Sequence, residues 1–367
     1  RDDAKILILY GDVPLIKPET IGKMLAAVTA DSIALLTVTL TDPAGYGRIV
    51  RDSDGLIEAV IEQKDASPDQ LELTEVNTGV LALGCAQLKA WLPQINNNNA
   101  QGEYYLTDLI GLARRHGFWV DSIQPTSINE VEGVNNRIQL SRLERAHQLD
   151  LAEALMLSGT SLADPARFDQ RGTLTAGTDN HIDINCIFEG MVSLGSNVTI
   201  GANCQIINSI IGDGVEIKAN SHIEESVIGD RAVIGPYARL RTGTKLGCDT
   251  KIGNFVETKK TRVGDGSKIN HLSYVGDTEM GARVNVGAGT ITCNYDGVNK
   301  HKTTLGDEVF IGSNSTLIAP INIGDHGFVG AGSTLSQDVS AASLAVGRSK
   351  QRNIQGWIRP KKNNEDS

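Results

Sequence analysis

A chain of 367 residues with a formal net charge of −10, from 34 Lys and Arg against 44 Asp and Glu, is long for one core and too acidic for a nucleic-acid partner, so two domains are expected. Five cysteines, an odd number at irregular spacings with no CxxC pair, fit a reduced, cytoplasmic chain without structural zinc. No apolar run reaches the length of a membrane span and no signal peptide is expected, so a membrane partner is excluded as well.

The first part of the chain, 1–137, reads as α/β. KILILY (5–10) reads as a buried strand and suggests that the chain opens in the middle of a fold. SIALLTVTL (32–40) and EAVIEQK (58–64) read as further strands, and PETIGKMLAAV (18–28) and LTDLIGLARR (106–115) as helices, which together predict a largely parallel sheet. Asp12 follows the first strand, at the carboxyl end where open α/β sheets bind ligands, and a carboxylate there suits a magnesium ion beside a nucleotide phosphate. A plain turn residue before Pro14 is the competing reading. AGYGRI (44–49), IEQKD (61–65), EVNTG (75–79) and EVEGVNNR (130–137) place Gly47, Glu62, Asn77 and Asn135 where backbone or side chain could meet a ligand, each weakly on its own. Residues 138–159 read as a linker helix with Leu140, Leu143, Ala146 and Leu149 on one face, stopped at Ser158-Gly159.

From about residue 194 an aliphatic residue, often followed by Gly, recurs every six positions. Leu194, Ile200 and Ile206 form one set, Ile211, Ile217 and Ile223 the next, and the series runs on to Ile323, Val329 and Leu335, with Thr258 and Thr292 filling two of the places. Sets of three begin 17 or 18 residues apart. A rung of three short strands and three corners explains that spacing, with the aliphatic residue inward and the following Gly supplying an unusual corner conformation. Residues 160–345 are therefore expected to form a parallel β-helix of hexapeptides, followed by a tail at 346–367 in which RPKK (359–362) is the one basic run. The low aromatic content, 4%, agrees with a narrow aliphatic interior.

The period breaks once. Met280 to Leu305 spans 25 residues, so ITCNYDGVNKHKTTLG (291–306) carries an extruded loop with Asn294, Tyr295 and Lys300. Such a loop is either decoration or a functional part of a rigid scaffold, and its polar and cationic residues favour function. His271 lies two residues past inward Ile269 and so faces outward, where a lone histidine is ordinarily just solvated. Tyr274 lies in the same rung, and Arg241 and Lys259 are 18 residues apart in the two preceding rungs, so two cations can stack on one face and suit a sugar phosphate.

In the first part the segments above, with NNNNAQGEYYLTD (96–108), and in the second ARLRTG, GNFVETKK, HLSYVGD, VNVGAGTITCNYDG and FIGS, in this order over essentially the whole chain, resemble a family of bifunctional bacterial enzymes. These are the N-acetylglucosamine-1-phosphate uridyltransferases / glucosamine-1-phosphate N-acetyltransferases. The resemblance implies a partial Rossmann-like nucleotidyltransferase domain followed by a left-handed parallel β-helix, assembled as a homotrimer with active sites between β-helices. It implies the small-molecule substrates glucosamine 1-phosphate, acetyl-CoA and UTP, and a product, UDP-N-acetylglucosamine, that feeds peptidoglycan and lipopolysaccharide synthesis. It makes His271 the general base, with Arg241, Lys259, Tyr274 and Asn285 holding glucosamine 1-phosphate. Ala288, Asn294, Tyr295, Ser313, Ala331 and Arg348 would contact acetyl-CoA, with Lys300 assisting either ligand. Asp12 and Asn135 would bind Mg²⁺, and Gly47, Glu62, Asn77 and Asn135 would line the UDP-sugar pocket. The family's LAAGxGTRM loop, which cradles the UTP phosphates, has no counterpart between residues 1 and 150, so a fragment is expected whose uridyltransferase half is incomplete and inactive alone.

Three other readings compete. A hexapeptide acyltransferase acting on serine or a lipid precursor would leave the α/β half unexplained. A γ-type carbonic anhydrase needs three zinc histidines on facing strands, whereas His222, His271, His301 and His326 are isolated in the sequence, with no close pair. A sugar-phosphate nucleotidyltransferase with a non-catalytic β-helix trimer scaffold would leave His271 and the loop without a role.

Overall fold

A computed structural model describes residues 2–360, so the end of the RPKK run and the residues after it lie outside the described part. Two compact units divide between His147 and Gln148. The first is built from β1 (Lys5–Ile8), α1 (Pro18–Ala27), β2 (Ser32–Thr39), β3 (Arg48–Arg51), β4 (Ile57–Ile61), α2 (Pro68–Leu71), β5 (Glu75–Gly84), α3 (Cys85–Trp91), α4 (Asp108–Arg115) and β6 (Trp119–Ile123). Helix α5 (Arg137–Leu157) carries the division. No helix among the described residues is long and apolar enough to cross a membrane.

The sheet runs β4-β3-β5-β2-β6, with β1 also on β5. It is mostly antiparallel, which corrects the expectation of a largely parallel sheet: only β2–β6 runs parallel, while β1–β5, β2–β5, β3–β5 and β3–β4 run antiparallel. The cause is local. β3 and β4 are joined by a tight turn in which Asp52 accepts from the backbone of Asp54 and Leu56 and Gly55 sits at φ +81°. That hairpin sends the chain back, and β5 arrives running opposite to both β1 and β2. β2 alternates Ile33 and Leu35 into one core with Ala34 and Leu36 into the other, so both of its faces are buried. β1 is only half-buried, and Leu9 and Tyr10 beyond it are exposed, against the expectation of a buried strand.

Helix α5 also departs from its simple reading. Leu143 is buried and Ala146 half-buried, but Leu140 and Leu149 are exposed; the buried positions further along are Gln148, Ala152 and Leu155. Gln148 takes a buried place because both ends of its amide are satisfied by Gln170: Nε2 donates to the Gln170 carbonyl at 2.9 Å and Oε1 accepts from the Gln170 N–H at 2.7 Å. A count of leucines overlooks such a residue.

The second unit is a parallel β-helix whose strands run from Thr160–Leu162 to Leu344–Ala345. Each rung lays one strand on each of three faces. On the first face Ile200, Ile217, Ile234, Ile252, Ile269, Val286, Ile311 and Val329 stand in direct register. Every inward residue of the sequence repeat is buried, including Thr258 and Thr292. Those two hydroxyls are satisfied inside the prism: Thr258 bonds Thr244 at 2.9 Å, and Thr292 accepts from the Gly276 N–H at 2.8 Å.

The glycine after most inward residues serves a different purpose from the one expected, although Gly235, after Ile234, does take a positive φ of +88°. Gly229 and Gly264 do not adopt positive φ. A Cβ on Gly229 would stand 2.7 Å from the Gly247 carbonyl carbon, and one on Gly264 2.5 Å from that of Gly281, so glycine is required by the close approach of stacked corners. The left-handed conformation falls two residues later, at Asn197, Arg231, Asp249 and Arg283. The five cysteines are free thiols, and burial pushes the Cys186 thiol up to about 12, which leaves it protonated and unreactive.

Candidate active sites

In the α/β unit, Asp12, Gly47, Glu62, Asn77 and Asn135 all line one cavity of 650 Å³. Gly47 is fitted to it: an added Cβ would lie 3.0 Å from Val60 and 3.3 Å from the Glu62 carboxylate. The Gly47 carbonyl accepts from the Asn77 N–H at 2.9 Å, and Glu62 accepts from the Thr107 hydroxyl at 3.1 Å. Asp12 abuts Gly133, and its carbonyl accepts from the Val134 N–H at 2.8 Å, which carries Asn135 to the same rim. Tyr10, Tyr105 and Thr107 also line the cavity and were not singled out from the sequence. The Tyr10 ring closes so tightly over Gly79 that a Cβ there would meet it at 2.0 Å. The run of Tyr10 just past a strand end was the signal available. Asp12 and Asn135 offer one carboxylate and one amide oxygen. Mg²⁺ commonly takes one or two protein oxygens and fills its octahedron with water and substrate phosphate, so this donor set fits it.

The rim is held from behind by Glu130. Its buried carboxylate accepts from the Thr20 hydroxyl at 2.6 Å, the Lys17 N–H at 3.3 Å, and the Thr126 N–H and hydroxyl at 2.9 and 2.6 Å. Burial pushes its pKa up, but the bonds from Thr126, Thr20 and Lys17 outweigh burial and hold it below the usual value. Glu130→Gln is expected to cost this unit about 1.5–3 kcal/mol at neutral pH. Because the folded pKa is depressed, the carboxylate's contribution is present above its unfolded pKa and is lost as pH falls through the folded one. Urea unfolding followed from neutral pH downward should therefore show the wild-type advantage over the variant shrinking in acid.

On the β-helix, His271 ends the strand Lys268–His271 and is exposed at the corner between the first and second faces. Its Nδ1 lies 2.8 Å from Oδ1 of Asn254, the residue opposite it in the preceding rung. Asn254 was not singled out from the sequence, although its place one rung period before His271 marked it. Asn254, His271, Ala288, Ser313 and Ala331 each lie two residues past an inward residue of the first face and form one column. The corner hydrogen bonds join them in order: Leu272 N–H to the Asn254 carbonyl at 3.0 Å, Gly289 to His271 at 3.3 Å, Asn314 to Ala288 at 2.7 Å and Gly332 to Ser313 at 2.8 Å. The N–H groups of Ala288, Ser313 and Ala331 donate to no acceptor among the described residues, which leaves a row of free donors down the corner. Arg348 closes the column, its guanidinium on the Ala331 carbonyl. Asn285 is on the first face, one rung beyond Lys268.

The second face carries the cations. Arg241, Lys259 and Gly276 occupy matching places on successive rungs, with Glu257 opposite Tyr274. Arg241 donates to Glu257 at 2.7 Å, a bond that raises its pKa. Contact with the Lys300 amine, then the charges of Lys300 and Arg241, push the Lys259 pKa down. Three cationic groups thus crowd one exposed edge. The loop lies at the next corner, away from the column. Asn294 is buried there and donates to Asp277, Tyr295 is exposed with its hydroxyl on the Gly297 carbonyl, and an antiparallel bridge pairs Tyr295 with Lys300. Lys300 also lines a separate cavity of 370 Å³ with Lys245, Lys260, Arg262 and Lys302. Within one chain, therefore, Ala288, Ser313, Ala331 and Arg348 come together with His271, whereas Asn294, Tyr295 and Lys300 stand one corner away.

Comparison with known proteins matches residues 171–256 to the model of the GMPPB C-terminal domain and residues 302–337 to that of the hexapeptide repeat of succinyl-transferase. Over 98% of its length the chain is 60% identical to the Bifunctional protein GlmU of Marinobacter nauticus and 59% identical to that of Cellvibrio japonicus, covering 80% of each. The chain belongs to the GlmU family. Among solved structures, a UDP-N-acetylglucosamine acyltransferase from Campylobacter jejuni shares 18% identity over 51% of this chain and 71% of its own, with a TM-score of 0.39.

Proposed function

We propose that the β-helix unit transfers the acetyl group of acetyl-CoA to the amine of glucosamine 1-phosphate, and that the α/β cavity is the pocket that holds the sugar nucleotide, UDP-N-acetylglucosamine, of the uridyl-transfer reaction. The observation that carries the first half is the corner column. It places an exposed imidazole, fixed at Nδ1, at the head of three unpaired backbone donors. With rungs spaced about 4.8 Å apart, the distance from His271 to Ala331 is about 14 Å. An extended pantetheine arm, with its amide carbonyls, suits such a row.

In this reading Nε2 of His271 takes the proton from the substrate amine as the nitrogen attacks the thioester carbonyl. The C–N bond forms, the tetrahedral intermediate collapses, and the C–S bond breaks to release CoA thiol, which recovers the proton. Lys259 and Arg241, with Tyr274 and Asn285, hold the sugar phosphate on the neighbouring face. The loop residues Asn294, Tyr295 and Lys300 serve a column on a neighbouring copy, since they stand a corner away from their own; a homotrimer supplies that copy. In the α/β cavity Asp12 and Asn135 would hold Mg²⁺, whose charge would neutralise the phosphates. Gly47, Glu62 and Asn77 would orient the sugar through backbone and side-chain hydrogen bonds.

Thiol release from acetyl-CoA, measured with and without glucosamine 1-phosphate, tests the acetyl half. Release that depends on the sugar phosphate, with N-acetylated product in equal amount, is expected. A folded protein that releases no thiol would leave the β-helix as a scaffold.

A further inference from the structure

We infer that Asn254 is the positioning residue of the acetyl-transfer base: its amide oxygen accepts the Nδ1 proton of His271 and thereby presents Nε2 unprotonated to the substrate amine. This rests on the reading of His271 as that base.

The two residues are locked together by more than one contact. Their side chains meet at 2.8 Å, they stand opposite in register, and the Leu272 N–H bonds the Asn254 carbonyl at 3.0 Å. The strands that carry them, Lys251–Asn254 and Lys268–His271, are four residues long, against two for their neighbours Val233–Ile234 and Asn285–Val286. Pairing is thus prolonged to the corner in these two rungs. Each of the two residues is followed at once by a bulky apolar residue in the left-handed region, Phe255 at φ +55° and Leu272 at φ +50°. Elsewhere along the same corner that place is taken by Tyr237 at φ +57°, whose ring stacks on Phe255, and by Asn203, Asn220, Asn314, Gly289 and Gly332, which adopt it at little cost. Backbone strain thus runs through three successive rungs of this corner, the last two of which carry the pair.

The chemistry follows from the tautomer. A neutral imidazole has one N–H and one lone pair, and the bond made by one nitrogen fixes the role of the other. With Asn254 Oδ1 as acceptor, the proton sits on Nδ1 and the lone pair on Nε2. The reversed amide would donate to Nδ1 and leave Nε2 protonated and useless as a base. Few charges compete around the ring: Lys251 and Lys268 lie on the two bonded strands, Glu257 and Tyr274 stand across the corner, and Asn285–Val286 on the following rung brings none.

The test uses the whole chain and three variants. Asn254→Ala should lower kcat about 10–100-fold with KM for both substrates nearly unchanged. Nitrogen NMR of the His271 ring should show Nδ1–H as the main tautomer in the wild type and its loss in Asn254→Ala. Asn254→Asp, which can only accept, should keep kcat within about tenfold of wild type. It should also move the acid limb of the pH–rate profile upward, because a carboxylate favours the imidazolium. An unchanged kcat and tautomer in Asn254→Ala, or an Asn254→Asp variant as impaired as Asn254→Ala, would overturn the proposal. Full activity in His271→Ala would instead overturn the reading of the base, while the tautomer measurement would still report on the Asn254 bond. Thermal midpoints should be close to wild type throughout, since the rung's backbone bonds do not involve the Asn254 side chain.

Discussion

Replacement of His271 by alanine is expected to lower kcat for acetyl transfer by about 10²–10⁴-fold, the range for removal of a positioned general base. KM for acetyl-CoA should change little. The proposed contacts to the cofactor come from backbone N–H groups of Ala288, Ser313 and Ala331, and none of these depends on the imidazole. Stability should also hold, because His271 is exposed at a corner while the core residue of its strand is Ile269, fully buried two places earlier. The side chain makes one hydrogen bond among the described residues, to Asn254, and its loss leaves a half-buried corner amide that water can reach. Stopped assays of thiol release, beside thermal unfolding of both proteins, separate chemistry from folding. Loss of kcat with an unchanged midpoint supports the base. A variant within about threefold of wild type in kcat would remove His271 from the chemistry, since no base worth its place contributes so little.

The β-helix was readable from the sequence almost residue by residue, and the α/β unit much less so. In a solenoid each rung meets only its neighbours, so the inward pattern and its period are local in sequence. Ile200, Ile217, Ile234 and Ile252 could be placed in one stack by counting, and they stack. The broken period at Met280–Leu305 was visible for the same reason, and those two residues still pair across the insertion. What counting did not show was the cause of the glycines, because the approach of Gly229 to Gly247 is a property of two corners together. In the α/β unit, strand direction is set by long-range return of the chain. The antiparallel pairing of Leu35 with Leu81 leaves no periodic trace, so alternating strands and helices alone point to a parallel sheet that the chain does not form. Asp12 is legible from its place past the first strand, but Gly47, Glu62, Asn77 and Asn135 are weak signals without the resemblance, and their meeting in one cavity rests on contacts such as Asn77 to Gly47 that no spacing announces. Asn254 lay between these extremes. Its position one period before His271 was legible, but an asparagine there looks like any corner residue until the 2.8 Å contact is seen.

Lys259→Gln is expected to weaken sugar-phosphate binding while making the unliganded protein more resistant to heat. Lys259, Lys300 and Arg241 form a like-charged group at an exposed edge, and the Lys259 pKa lies below its ordinary value of 10.5 because of Lys300 first and Arg241 next. Such a cluster is unfavourable until an anion enters it, and a phosphate dianion is the anion that the proposed substrate brings. Removing one charge-assisted hydrogen bond to the phosphate raises KM for glucosamine 1-phosphate by about tenfold, with kcat far less affected. Removing one of the mutually repelling charges also relieves the folded state, so the thermal midpoint without ligand should rise. The sign has a pH consequence. A depressed lysine binds fewer protons folded than unfolded, so wild-type stability improves as pH climbs through the lowered folded pKa toward the unfolded value. The gap between variant and wild type should therefore narrow in alkali. Inorganic phosphate should close it at neutral pH by stabilising the wild type more than the variant. A variant with unchanged KM and a lower midpoint would show instead that Lys259 supports the rung and does not meet the phosphate.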